Sequence, residues 1–492
     1  MADSAGGDAM GAGDGQGQAH GSDRPVTRVE RDSLGEVEVP NDAMYGAQTQ
    51  RAVDNFPVSG QRVDRRVVRA LGLVKGAAAR ANAELELVAS DVADAVARAA
   101  DEVREGNWDD QFVVDVYQTG SGTSSNMNAN EVIARRAQEL RSGQEPAVHP
   151  NDHVNFGQSS NDVFPTAIHV ASRMALEREV FPAVEALRDG LADKAEALDH
   201  VVKSGRTHLM DATPVRLGQE FAGYAHQLTR GLERLRAASE ELAELPLGGT
   251  ATGTGINTHP EFPRRAIAHI SETTRIPFRE AENHFEAQGA RDGLVAAHGA
   301  FNTLAGSLLK IADDIRWLAS GPTSGLREIR LPSVQPGSSI MPGKVNPVLA
   351  ESLMMACVRV QGNQTALTVG GGRGNFELNV MMPVMAQAFL ESATVLAGAC
   401  RAFLDRCVRG IEADEARCQE LLELNPSIAT ALNTKIGYDR ASEVAKRSGH
   451  EGRSVRDIVL EEGLLSEAEL DEALDVRDMT EPGFPGRGEG RS

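Results

Sequence analysis

The sequence predicts an all-α protein, and three observations carry that prediction. Only 4% of its 492 residues are aromatic, so a core of this size must be filled by Ala, Leu, Val, Ile and Met, the side chains that fit between helices. Five stretches, residues 67–104, 162–202, 214–245, 292–318 and 380–411, keep an apolar pattern at helical spacing for far longer than a strand runs. Strand-like alternation is scarce. A hydrophobic share of 41% and a charged share of 25% place the chain among soluble globular proteins rather than disordered, collagen-like or membrane-embedded ones.

In chain order, residues 1–26 hold Gly, Ala, Asp and Ser with almost no large apolar side chain, so nothing offsets the entropy of ordering them. A disordered tail is expected there, and a flexible end at EPGFPGRGEGRS. Residues 27–157 are expected to form an N-terminal domain, 158–413 a central helical bundle, and 414–492 a small C-terminal helical domain. Within the bundle, Phe301, Leu304, Leu308, Ile311, Ile315 and Leu318 recur at steps of three and four, an apolar seam that calls for a partner helix. The mid-chain helices are apolar around much of their circumference, which predicts contact with other subunits and hence a homo-oligomer. The run 380–400 approaches the ~20 residues that span a bilayer. Pro383, Gln387, Glu391, Ser392 and Thr394 interrupt it, so a helix at the centre of a bundle is the better reading. Beyond Glu412 the pattern shortens to helices at 414–424, 438–447 and 454–462.

With 50 Lys+Arg against 71 Asp+Glu the formal charge is −21, which provides no field for nucleic acid or anionic lipid. Any anionic ligand must be met by local groups. Cys357, Cys400, Cys407 and Cys418 show no Cys-x-x-Cys pair, which excludes a zinc, iron-sulfur or disulfide framework and suits buried thiols in a reducing cytoplasm. No basic segment followed by an apolar run opens the chain, so no secretory signal is read.

Five polar segments interrupt the helices. In Thr119-Gly-Ser-Gly-Thr-Ser-Ser-Asn-Met-Asn-Ala-Asn-Glu131, hydroxyl and amide side chains precede a helix. Asn128 with Glu131 fits a capping box, and Gly120 and Gly122 would let the backbone approach a ligand. His149-Pro-Asn-Asp-His-Val-Asn155 leads to Ser159, Ser160 and Asn161 at another helix N-terminus, where free N–H groups and the helix dipole attract anions. A metal reading of His149, Asp152 and His153 is poor, because Pro150 interrupts the segment and these residues make no preformed cage. Thr207 and His208 stand just before a further helix, the histidine able to exchange a proton near neutrality. Residues 247–257 are rich in Gly and Thr but lack the Gly-Lys-Ser/Thr and preceding strand of a nucleotide loop. In the fifth segment, residues 331–347, Asn346 and Pro347 read as N-cap and first helical position. Lys344 would then lie beside the positive end of a helix, where it is repelled unless an anion is bound. Prolines 332, 336 and 342 with Gly337 and Gly343 describe a lid that is stiff between hinges and carries Ser338 and Ser339 at its tip.

Gly337-Ser-Ser-Ile-Met-Pro-Gly-Lys-Val-Asn346 resembles the signature of the fumarase/aspartase superfamily, and the other loops resemble its remaining regions in the same order, over roughly residues 27–480. Tyr45-Gly-Ala-Gln-Thr49, Gly248-Gly249-Thr250, His208 and Ala431-Leu-Asn-Thr-Lys-Ile-Gly-Tyr438 are more similar to class II fumarases than to aspartases. The resemblance implies a three-domain fold, a homotetramer with a twenty-helix core, and active sites each assembled from three subunits. It also implies cofactor-free, reversible hydration of fumarate to L-malate, a citric acid cycle step, by anti addition and elimination through an aci-carboxylate carbanion. Carried over by position, Ser338 becomes the base that takes the C3 proton, and His208 acts on the leaving water with Glu351 as its charge partner. An older assignment within the family makes the histidine-bound water the base. Ser121, Gly122, Thr123, Asn126, Ser159, Ser160, Asn161, Thr207, Ser339, Lys344, Val345 and Asn346 would bind substrate. A second anion site at His149, Asn151 and Asp152 usually has an arginine three residues before the histidine. That position is Pro146 here, with Arg141 the nearest arginine. Two alternatives share the fold: an aspartate ammonia-lyase, and a structural protein of the crystallin type, which intact Ser338, Lys344 and His208 disfavour.

Overall fold

The computed structural model describes residues 26–484; apart from Val26, the expected tail lies outside the described residues, as does the end of the chain from 485. Helix makes up 62% and strand 8%, so the all-α class holds. The chain enters through a hairpin of β1 (Thr27–Asp32) and β2 (Gly35–Pro40), paired from Thr27↔Pro40 to Asp32↔Gly35. α1 (Ala47–Asn55) follows. The single helix expected over 67–104 is two, α2 (Arg65–Glu84) and α3 (Ser90–Glu105), folded back on each other. The chain reverses between them with Glu86 at φ 58°, a break that neither Gly nor Pro announces. Gly72 allows the close pairing, because a Cβ there would stand 2.7 Å from the Arg104 backbone nitrogen. α4 (Thr123–Leu140) packs against α3.

Five long rods make the centre. α5 (Ser160–Ala175) runs through a π-turn at Leu176–Val180 into α6 (Phe181–Ala197), one rod roughly 55 Å long at 1.5 Å per residue. A hairpin of β3 (Val202–Thr207) and β4 (Met210–Arg216) leads to α7 (Leu217–Ser239). α8 (Phe262–Thr274) and α9 (His284–Gly289) precede α10 (Asp292–Leu318), α11 (Val348–Gly371) and α12 (Met382–Arg406). The seam from Phe301 to Leu318 is buried and α10 lies against α7 and α11, so its partner helices are within the chain. The stretch Met382–Gly410 is long and apolar enough to cross a membrane by composition, but 61% of its most apolar window is buried against the other rods. It is a core helix. Between α10, α11 and α12, His298 Nδ1 lies 2.7 Å from Gln364 Oε1 and Nε2 lies 2.8 Å from Ser392 Oγ, which also accepts from Asn363 Nδ2 at 3.0 Å. A buried polar knot of this kind penalises any slip in register.

Beyond Glu412 come α13 (Glu415–Glu423), α14 (Asn433–Ile436), α15 (Tyr438–Glu451), α16 (Val455–Glu461) and α17 (Glu467–Ala473). Leu422, Ile428, Leu432, Val444, Ile458 and Leu470 form an apolar cluster separate from the main core. The four cysteines are free and buried.

Candidate active site

At one end of the bundle the starts of α4 and α5 meet. Ser121 Oγ lies 2.8 Å from Thr123 Oγ1, which lies 2.8 Å from Ser160 Oγ, so three hydroxyls string across two helix N-termini. Ser159 caps α5 by accepting from the Asn161 N–H, and the Asp162 carboxylate accepts from Ser159 N at 2.9 Å. The other oxygen of Asp162 accepts from Gly248 N and Thr250 N, which clamps the Gly-Gly-Thr segment over the helix start; burial pushes this carboxyl above its ordinary range. Asn161 Nδ2 donates to the Ala251 carbonyl at 2.8 Å.

Protein packing also requires Gly120 and Gly122: a Cβ on Gly120 would lie 1.8 Å from the Val380 carbonyl, and one on Gly122, at φ 72°, 2.2 Å from the Phe164 ring. The expected capping box needs correction. Asn128 and Glu131 form no capping box, because α4 begins at Thr123 and both lie inside it. Glu131 instead accepts from the N–H groups of Gly46, Gln48 and Thr49 and from Thr49 Oγ1 at 2.6 Å, anchoring α1. Asn128 bridges the Val113 N–H and the Gln111 carbonyl.

Thr207 and His208 do not precede a helix. They close the β3–β4 hairpin, with His208 at φ 57° and Leu209 at φ 62°, the positive pair that a type I′ turn requires. Leu209 and Met210 are each 69% exposed beside the histidine. The hairpin is braced from below: Arg206 donates two hydrogen bonds, 2.7 and 2.9 Å, to the fully buried Glu328, and Lys203 lies 3.3 Å from the same carboxylate and 2.9 Å from Glu220. Asn425 Nδ2 ties the hairpin to the C-terminal segment through Ser204 Oγ and the Ala212 carbonyl. Neither ion-pair partner was picked out in the sequence, where they stand far apart.

In the 331–347 loop, Gly337 N donates to the Lys344 carbonyl at 2.7 Å and Asn346 Nδ2 to the Gly337 carbonyl at 2.8 Å, closing its neck. Asn346 therefore does not cap α11. Pro347 holds that position and the helix begins at Val348. Ser338 Oγ accepts from the N–H groups of Ile340 and Met341 at 3.2 and 3.1 Å. Ser339, Lys344 and Val345 are exposed, and Glu351 stands half-buried in the first turn of α11.

These groups occupy two ends of one molecule. α11 starts at the loop and runs about 36 Å, at 1.5 Å per residue, to the turn before α12, where Met382 N donates to the Gly120 carbonyl. Ser121 and Lys344 are thus separated by the length of a rod, as Ser160 and Thr207 are by α5 and α6. The sequence reading missed Lys75, whose buried ammonium reaches Asn155 behind the hydroxyl string; its signal was a lone lysine in the apolar run 70–79. At the proposed second anion site, His149 Nδ1 accepts from the N–H groups of Asn151 and Asp152. Arg141 is occupied by Asp91 and by the carbonyls of Gln144, Glu145 and Pro146.

Residues 35–362 match the family described as Lyase, and residues 428–481 the one described as Fumarase C C-terminus. A class II fumarate hydratase of Halobacterium salinarum is 58% identical over 93% of this chain and 98% of its own length. The one from Neisseria meningitidis is 51% identical over 93% and 99%. The crystal structure of a class II fumarase from Schistosoma mansoni superposes with a TM-score of 0.90 at 37% identity, over 93% of this chain and 100% of the other.

Proposed function

The chain belongs to the class II fumarate hydratases, and from that premise we propose how its residues share the reversible hydration of fumarate to L-malate. The ammonia-lyase alternative gives way with it. Dehydration of malate breaks the C3–H bond, moves that electron pair into the adjacent carboxylate, and then breaks C2–O so that water leaves. The barrier lies in the extra charge on the carboxylate, so donors aimed at it matter most, each worth roughly 10²–10³ in rate. Lys344 and Asn346 take that role. Ser121, Thr123, Asn126, Ser159, Ser160, Asn161 and Thr207 hold the substrate's oxygens, with Gly122, Ser339 and Val345 shaping the walls.

Ser338 takes the C3 proton. An ordinary hydroxyl is far too weak a base, but the two N–H groups donating to Ser338 Oγ favour its alkoxide, and closure over the substrate strengthens them by excluding water. His208 delivers a proton to the departing hydroxide, with Glu351 as its counter-charge. The second anion site is left without its usual arginine, because Pro146 holds that position and the nearest arginine, Arg141, is engaged by Asp91 and the Pro146 carbonyl.

The enzyme works as a homotetramer whose active sites are shared between chains. The observation that carries this is the separation of the hydroxyl string from the His208 hairpin and the Lys344 loop by a full rod length. Five rods per chain give twenty in four chains, in three-domain subunits. Gly299, Gly306 and Gly362 have open space over their Cα atoms, and Met355, two turns before Gly362 on α11, is 67% exposed, a surface suited to another helix at close range. The compartment is the cytoplasm, where buried thiols stay reduced.

Complementation tests the shared site. Lys344→Met and Ser160→Ala should each abolish turnover, followed by absorbance of fumarate with malate as substrate, and their co-refolded mixture should regain about a quarter of full activity, as random assembly of shared sites allows. A mixture as inactive as its parents defeats the shared site. Ser338→Ala should lose nearly all turnover and stay tetrameric; retained activity removes it as the base.

A further inference from the structure

Lys75 lies in the middle of α2 with none of its surface exposed. Its ammonium donates to Asn155 Oδ1 at 2.7 Å and to Gln158 Oε1 at 3.1 Å, both neutral acceptors, and no carboxylate among the described residues comes within ion-pair distance. The charged group acting on it is Asp162 at the start of α5, whose oxygens are already held by the N–H groups of Ser159, Gly248 and Thr250. Its two hydrogen-bond partners, Asn155 and Gln158, are amides. A buried cation without a partner is costly, so its place calls for a compensating charge.

The surroundings indicate where that charge goes. Asn155 Oδ1, held by Lys75, also accepts from Asn126 Nδ2 and Asn130 Nδ2, each at 3.3 Å. The ammonium has donors only, so it fixes Asn155 with its oxygen inward and thereby orients both neighbours. Asn126 and Asn130 are left with buried Oδ1 atoms that have no donor, and among the hydrogen-bond partners of this amide cluster Lys75 is the positive charge. Asn126 sits one turn beyond Thr123, whose hydroxyl joins Ser121 to Ser160.

We propose that Lys75 is the buried counter-charge of the dicarboxylate pocket, a positioning residue that draws the substrate's carboxylate to the starts of α4 and α5 through Asn155 and Asn126 without touching it. This rests on the reading of the Ser121–Ser160 pocket given above. Burial also pushes the Lys75 ammonium down to about 7, against the pull of Asp162. In the empty enzyme it loses its proton as pH rises past that value, so binding an anion there must take a proton up, and KM must climb.

The test uses the intact tetramer, with KM for L-malate and Ki for succinate measured from pH 6 to 9. Lys75→Met should raise both roughly tenfold at neutral pH, leave kcat nearly unchanged as loss of uniform binding does, and remove the climb in KM above pH 7. Lys75→Arg, which stays charged throughout, should keep KM low and flat. An unchanged Ki for succinate in Lys75→Met, or an unchanged climb in Lys75→Arg, overturns the proposal; the second alone decides if the methionine variant does not assemble. Thr123→Val separates the two readings. If it leaves Ki unchanged, the pocket assignment itself falls. If it raises Ki and Lys75→Met does not, only the counter-charge falls.

Discussion

Gly122 is fixed by two constraints at once, a left-handed backbone and the Phe164 ring against its Cα. Gly122→Ala should therefore cost about 1–3 kcal/mol and displace Thr123, read as a lower urea midpoint and a raised KM. The buried His298 makes a second prediction. Burial lowers its pKa to about 4, so in the fold it stays neutral where an unfolded imidazole, near its ordinary 6.5, takes a proton. Between those values the unfolded state binds more protons, so stability is present above the window and is lost as pH falls through it. The protein should lose about 2 kcal/mol more than His298→Gln between pH 7 and pH 5 in denaturant titrations. At this scale the sequence revealed the Ser159 cap and the buried cysteines, because both follow from local chemistry. It misplaced the Asn346 cap by one residue, because that amide closes the neck of its own loop, a contact with Gly337 that local spacing does not reveal.

Among the elements, the rods were legible and the hairpins were not. The residue at each step of the Phe301–Leu318 seam is apolar, so the pattern survives any local disturbance. The 202–216 segment is polar, and its turn carries His-Leu where Asn-Gly would advertise a hairpin. It forms because Arg206 and Lys203 find Glu328, a residue more than a hundred positions away in sequence. Glu328→Ala strips Arg206 of its carboxylate partner and leaves the buried Lys203 with Glu220 alone, which should cost about 3–5 kcal/mol. Activity should fall with it, since His208 rides on that hairpin; Glu328→Ala with an unchanged unfolding midpoint would show that the brace is dispensable. The division of 67–104 into α2 and α3 escaped for a similar reason. Nothing local breaks the helix at residues 85–89, and the turn is enforced by the packing of α3 along Gly72.

For the whole molecule, the arrangement of the rods governs what one chain can do alone. A Cβ added at Gly306 or Gly362 meets nothing within 4 Å among the described residues, so Gly306→Phe should fold as a subunit. It should nevertheless run as a smaller species in light scattering and lack turnover; a fully active tetramer would show that these faces lie outside the assembly. The sequence by itself determined the helical class, the long rods, the acidic balance and the inventory of polar loops at the helix ends, because composition and periodicity act through neighbours a few residues apart. Only the tertiary structure decided that the donors fall at opposite ends of a rod, that a hairpin presents His208, and that Lys75 lies beneath the hydroxyl string. Each of those depends on where distant segments meet, and the free energy that brings them together comes from burial of surfaces that no local window contains.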